Sequence, residues 1–244
     1  STEQHGRHLP LKTDIFIASE ISRRAVEKVW PRAKPVITPP VHFGYSPEHT
    51  YFPGTITVGY QVFVDLLKDI CASLNRHGFK KLVFFNGHGG NTMGGVLATA
   101  MVEAKKETDA FIAMASWWEL CSKALAEVLE TPPNHACEME TSVMLALGVP
   151  VDMKKAEGRL PPAPIKGFSQ YGLTSEGFGV LNTEFWGVFS RVPSGAIGDP
   201  KRASAKKGRI IVNEAVNNFA RMILELEKKP YTEEFGLYSK RRKK

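Results

Sequence analysis

A fully apolar run, Leu82-Val83-Phe84-Phe85, is entered from Lys81 and leaves directly into Asn86-Gly87-His88-Gly89-Gly90-Asn91. A strand that is apolar at every position is buried on both faces, as in the centre of a parallel sheet. The flanking chain keeps to that scheme. Val58 to Arg76 reads as a helix through Val62, Val64, Leu66, Leu67, Ile70 and Leu74, with His77-Gly78 as its C-terminal stop. Thr92 to Lys105 is a second helix, Asp109 to Trp117 a second buried strand, and Glu119 to Leu129 a further helix. This alternation predicts an α/β fold with a mostly parallel central sheet. Right-handed crossovers then gather the loops that follow the strands along one edge, where α/β proteins bind their ligands. The turn holding His88 lies at that edge.

Outside this unit, Asp14 to Trp30 carries apolar residues at Ile15, Ile17, Ala18, Ile21, Ala25, Val26 and Val29, the spacing of an amphipathic helix stopped by Pro31 and Pro35. Pro35 to Val41 reads as a short strand closed by its prolines. His42 to Thr55 is an irregular loop rich in rings and imidazoles, and Tyr45 and His49 are its candidates for a substrate wall. Asn134 to Ser142 opens another helix, and Lys201 to Glu227 forms a long closing one. The Gly- and Pro-rich stretch from Val149 to Pro200, with Phe168, Tyr171, Phe178, Phe185, Trp186 and Phe189, has the character of a lid, an arm or an oligomer contact.

Composition narrows the class of function. The 43% hydrophobic and 23% charged fractions are those of an ordinary globular protein, and no run approaches the roughly 18 apolar residues of a membrane span. Cys71, Cys121 and Cys137 form neither a disulfide framework nor a C-x-x-C zinc pattern, so a cytoplasmic setting is the simplest expectation. Five of the seven net positive charges sit on the tail, Lys240 to Lys244. No aromatic-rich RNA motif or recognition helix accompanies them, so the expected partner is a small-molecule substrate, with no nucleic acid and no membrane.

The candidate chemistry begins in the first fourteen residues. Glu3 and His5 stand two apart, on one face of an extended segment, and Asp14 stands at the N-cap or first turn of the following helix. Carboxylate oxygens and imidazole nitrogens this close together suit Zn, Mn or Fe. His88 occupies the tip of a buried strand between glycines that clear space around it. The same turn could cradle phosphate on backbone N–H groups, although neither the Walker nor the dinucleotide-binding pattern is present. His135 precedes Glu140 by just over one helical turn, which allows a proton shuttle at the mouth of a helix and an anionic ligand on it. A capping box would account for the glutamate as well.

Taken together, T-E-Q-H-G-x-H-L-P-L-x-T-D, E-H-x-x-F-P-G-T, N-G-H-G-G-N and H-A-x-E-x-E-T-S resemble, in order and spacing, the creatininase (creatinine amidohydrolase) family. The late segment Gly198 to Arg209 also resembles it, and the likeness runs from Ser1 to about Leu226. The resemblance implies a three-layer α/β/α sandwich over residues 1–228, with 229–244 left as a basic tail. It implies a hydrolase of carbon–nitrogen bonds other than peptide bonds, cleaving an amide or cyclic amide through a hydroxide that bridges two divalent ions. Hydrolytic ring opening of a cyclic ketone or lactone at the same centre is the alternative.

Carried over by position, Asp14 bridges the two metals, Glu3 and His88 complete one site, and His5 serves the other. Creatininase has an acid two residues after the histidine of the N-G-H stretch. Gly90 stands there in this chain, which makes Glu140 the candidate replacement. His135 matches the catalytic histidine and Trp118 a pocket tryptophan, whereas Thr131 and Gly89 replace another pocket tryptophan and a tyrosine. Those replacements argue against creatinine itself as the substrate. The resemblance further implies a ring-shaped homo-oligomer, with a hexamer among the forms allowed, and a buried strand ahead of the E-Q-H-G turn to hold Glu3 and His5 rigid.

Overall fold

The computed structural model describes residues 1–161, 187 and 189–229. Lys81–Asn86 (β1) and Phe111–Ser116 (β2) pair in parallel, in a register that sets Leu82 against Ile112 and Asn86 against Ser116. The continuous apolar run of β1 has partners on both faces. Val83 and Phe85 join the main core, where Phe85 stacks on Phe219 at 4.2 Å between ring centroids. That core is built largely on Thr13–Val29 (α1) and Ala205–Lys228 (α7). Phe84 and Met114 pack instead against Phe63, Val64, Leu67, Val96, Leu97 and Ala100. Those residues belong to Tyr60–Arg76 (α2) and Val96–Glu107 (α4). Helices thus cover both faces of the parallel pair, which is the layered α/β arrangement expected from the alternation.

In α1 the residues Ile17, Ile21, Ala25 and Val29 are fully buried at four-residue intervals, the stripe an amphipathic helix turns inward. Lys12 takes the N-cap position and Asp14 falls in the first turn. Glu138–Ala146 (α6) lies against α7 so closely that a Cβ at Gly208 would come within 1.8 Å of the Ser142 carbonyl oxygen. Glycine is therefore required at 208 for space. Buried Glu138 accepts from the backbone N–H groups of Glu130 and Thr131 and from the Thr131 hydroxyl, and Lys207 Nζ on α7 pairs with it at 2.5 Å. The loop that carries His135 is tied down at its root by these bonds.

Three expectations need correcting. Pro35 to Val41 takes no regular secondary structure and belongs to no ladder, and Val36 is 68% exposed. With Pro35, Pro39 and Pro40 the run lacks three of its backbone donors, so its β-rich composition finds no edge to pair with. The helix expected from Thr92 to Lys105 is broken into Gly89–Met93 (α3) and α4, because Gly95 sits at φ +71°. Glu119 to Leu129 begins as a 3-10 turn and becomes the helix Ser122–Val128 (α5). Of the 149–200 stretch, residues 162–186 and 188 lie outside the described residues, as does the tail from 230. No described helix is long and apolar enough to cross a membrane.

Candidate metal centre

Four stretches far apart in sequence converge on one buried polar cluster. The N-terminal segment is fixed first. Thr2 and Ile56 form an antiparallel bridge, Glu3 N–H donates to the Leu11 carbonyl at 3.0 Å, and Gln4 N–H donates to the Thr55 hydroxyl at 3.1 Å. These bonds fix the main chain that carries Glu3 and His5. His88 follows the end of β1, His49 lies in a 3-10 turn at Pro47–His49, and Asp14 and Glu140 occupy the first turns of α1 and α6.

Glu3 Oε1 lies 3.0 Å from His88 Nδ1, 3.4 Å from His49 Nε2 and 3.8 Å from His135 Nδ1. His5 Nε2 lies 3.0 Å from Asp14 Oδ1 and 3.8 Å from Glu140 Oε2. Asp14 faces both groups, since its Oδ2 is 3.5 Å from His88 Nδ1. In a tetrahedral shell with bonds of about 2.0–2.1 Å, neighbouring ligand atoms stand about 3.3 Å apart. Three trios set their candidate ligand atoms within 4.8 Å of one another: Glu3/His49/His88, His5/Asp14/Glu140 and Glu3/His5/His135.

The tautomers follow from the main chain. A carbonyl oxygen only accepts, so His5 Nδ1–H donates to the Glu3 carbonyl at 3.2 Å, His88 Nε2–H to Tyr45 at 3.1 Å and His135 Nε2–H to Gln4 at 2.8 Å. Each ring therefore turns its other nitrogen toward the carboxylates. His49 differs. The Gln4 amide is oriented by the Gly6 N–H, which donates to its Oε1, so Gln4 Nε2 donates to His49 Nδ1 and to the Gly195 carbonyl. His49 then presents Nε2–H to Glu3.

Charge balance points to a cation. Glu3 Oε1 and Oε2, His5 Nε2, Asp14 Oδ2 and Glu48 Oε2 are buried without a hydrogen-bond partner. Buried polar atoms of this kind normally cost a few kcal/mol each unless something satisfies them. Among the described residues no lysine or arginine pairs with Glu3, Asp14, Glu48 or Glu140; imidazole side chains face all four, and the Ser1 amino group lies 3.5 Å from Asp14 Oδ2. The donor set fits one or two divalent ions of the Zn, Mn or Fe type.

Without metal, protons take up part of the charge. Burial opposes the charge on His5, but Asp14 beside it raises the ring to about 9. Burial likewise opposes His88, and Glu3 holds it well above the ordinary histidine value. Burial pushes His49 and His135 well below that value and lifts Glu140 to about 7. Asp14 is pushed up by burial but held low overall by His5.

The structure thus brings together Glu3, His5, Asp14, His88, His135 and Glu140, and draws His49 into the cluster itself. Ala136, at φ +50°, donates its N–H to Glu140 Oε2 at 2.5 Å, which aims that carboxylate inward. The wall candidates fare differently. Tyr45 contributes its carbonyl, while its ring meets Tyr60 edge-on at 5.4 Å beside α2. Trp118 packs on the main core and edge-on to Trp117 at 5.9 Å. Gly89 is the first residue of α3 and has open space beside its Cα. Gln4, Ser46 and Glu48 were not singled out from sequence. For Glu48 the available signal was its place beside His49 in the quoted E-H-x-x-F-P-G-T stretch.

Comparison with known proteins gives the family and the fold. The family model described as creatininase, creatinine amidohydrolase, matches residues 1–223. The mycofactocin precursor peptide peptidase of Mycolicibacterium smegmatis is 32% identical over 225 residues, covering 90% of this chain and 80% of that protein. The creatinine amidohydrolase of Pseudomonas putida is 26% identical, covering 91% of this chain and 85% of its own length. Among solved structures, a putative creatinine amidohydrolase from Bacteroides fragilis superposes with a TM-score of 0.78 at 30% identity, covering 94% of this chain and 88% of that one. From the first glutamate of the E-Q-H-G turn to the closing helix, the chain belongs to the creatininase family.

Proposed function

We propose that residues 1–228 work as one metal-dependent hydrolase unit that cleaves an amide or cyclic amide C–N bond with two divalent ions. One observation carries the reading. His5, His88 and His135 each tie one ring nitrogen to a main-chain carbonyl and turn the other toward buried carboxylates that have no lysine or arginine partner among the described residues. Glu3 and His88 would hold one ion, His5 and Glu140 the other, and Asp14 would reach both through its two oxygens. When bound, such ions supply a nucleophile active at neutral pH and a Lewis acid for the scissile carbonyl.

The remaining chemistry belongs to side chains. His135 keeps Nδ1 free at neutral pH because burial disfavours its charge, and its Nε2–H is held by the Gln4 carbonyl. It can therefore take a proton at Nδ1 and return it to the departing nitrogen, as general acid–base catalysis requires. His49 stands with Nε2 3.4 Å from Glu3 Oε1, its Nδ1 held by the Gln4 amide. Peptidase and amidohydrolase are the names of two relatives, which supports an amide in a small molecule or at a peptide end. Exposed apolar residues between Val36 and Leu66, Val62 among them, suit the homo-oligomer expected from the sequence.

The test is a substrate panel on metal-stripped and reloaded protein. Formamides, cyclic amides and short peptides are scored for amine release, and cyclic ketones and lactones for acid release. Amine release that vanishes with chelator and returns with Zn, Mn or Fe is the expected result. Protein that retains no metal and gains no turnover on its addition would sink the reading, and acid release alone would favour ring opening.

A further inference from the structure

We propose that Glu48 is a positioning residue of the metal centre, a carboxylate that holds His88 from the side opposite its metal-facing nitrogen. The proposal rests on the metal-dependent reading above. Glu48 lies in the 3-10 turn Pro47–His49 and is 2% exposed. Its Oε1 stands 3.4 Å from His88 Nε2 and 3.9 Å from His49 Nε2, while its Oε2 has no hydrogen-bond partner. A buried carboxylate without a lysine or arginine needs a positive charge close by, and both neighbours here are imidazoles.

Gly90 makes the approach sterically feasible. A Cβ there would lie 2.0 Å from Glu48 Oε1 and 2.3 Å from His88 Nε2. Gly90 is helical and has no positive φ, so the glycine is explained by space and not by backbone conformation. The glutamate of one loop thus fills the volume that a side chain at position 90 would take.

His88 sits at the junction. Its Nδ1 faces Glu3 and Asp14, and its Nε2–H is ringed by the Tyr45 carbonyl at 3.1 Å, the Ser46 hydroxyl at 3.2 Å and Glu48. A carboxylate behind a ligating histidine fixes the ring's tautomer and orientation and raises its basicity toward the metal. Glu48 then acts on the metal through His88.

Glu48→Gln keeps the shape and removes the charge, whereas Glu48→Asp keeps the charge on a shorter stem. Zinc affinity of the full chain is measured by competition with a chromophoric chelator, and melting temperature is recorded with and without zinc. Expected is a roughly 10- to 100-fold loss of affinity for Glu48→Gln and a smaller loss for Glu48→Asp. Zinc should raise the melting temperature of the Glu48→Gln chain by less than it raises that of the wild type. Wild-type affinity in Glu48→Gln overturns the proposal, as does a metal-free variant that is as destabilised as the loaded one. A wild-type chain that binds no zinc at all would sink the parent reading, and this proposal with it.

Discussion

The two halves of the buried centre stand on different supports. Glu3 and His88 come from the N-terminal segment and a post-strand turn, with His49 and Glu48 behind them on a loop. His5 is matched with Asp14 and Glu140, carried by the first turns of α1 and α6. Those two helices bury Ile17, Ile21, Val143 and Met144 completely in the main core. The helix-borne half has two carboxylates for one imidazole, both near helix N-termini where negative charge is favoured. Its ligands are therefore placed by core packing before any metal arrives, and a proton on His5 stands in for the cation. The loop-borne half depends on hydrogen bonds among Gln4, Tyr45, Ser46 and the imidazoles. The lesson is that one half is preformed by burial of apolar surface, and the other by a polar network.

Breaking the residue common to both halves should do the most damage. Asp14 reaches His5 through Oδ1 and His88 through Oδ2. Asp14→Asn keeps the size and removes the charge, and should lower kcat/KM about a thousandfold or more, which corresponds to at least ~4 kcal/mol of transition-state stabilisation. Metal content by elemental analysis should fall at both positions. A variant that loses only one ion per chain would show that the halves are independent and that Asp14 serves just one.

The second effect separates the halves by their protons. In the metal-free protein His5 is raised to about 9, first against burial and then by Asp14, so at pH 7 an incoming ion must displace a proton there. Proton competition operates below the ring's pKa. Zinc affinity of the helix-borne half should therefore rise by up to about tenfold per pH unit from 7 toward 9 and flatten above. Calorimetry at pH 7 in two buffers of different ionisation heat counts the proton released. Glu140→Gln removes one of the carboxylates that sustain the His5 charge, so it should shallow this dependence. Zinc binding with no proton release would contradict a protonated His5.

How far sequence reached can be judged from the same residues. The β1 run and its following turn were legible because apolar periodicity and glycine report burial and backbone freedom directly. The helices of the main core were legible for the same reason. Pro35 to Val41 misled because β-propensity describes a residue, whereas pairing needs a partner edge and free N–H groups. Glu48 was passed over because its significance is a contact, the volume left by Gly90, which no local pattern encodes. Tyr45 was a wall candidate because aromatic rings in a loop suit either a pocket or a core, and Trp118 was one through the resemblance; the contacts of their rings with Tyr60 and Trp117 are ones no local pattern encodes.

The smallest effect isolates what the carboxylates contribute. His8 is three residues from His5 and 3% exposed, yet among the described residues its Nε2 meets only the Thr141 hydroxyl at 2.9 Å and its Nδ1 has no partner. Burial, assisted by the nearby His5, pushes it down to about 4. Two buried histidines of one turn thus shift in opposite directions, and the carboxylates facing His5 are the difference. Below its ordinary value of 6.5, His8 in the unfolded chain binds a proton that the folded chain refuses. Its stabilising contribution is therefore complete above about pH 6.5 and is lost as pH falls toward 4, an effect of about 2 kcal/mol. For a chain of this size that is roughly 4–8 °C in melting temperature. His8→Asn in metal-free protein should reduce the gap between melting temperatures at pH 7 and pH 4.5 by about that much, whatever uniform offset the lost Thr141 bond adds. An unchanged gap would mean that protonation elsewhere, in the loop-borne network of His49 and His135, accounts for the acid sensitivity of this fold.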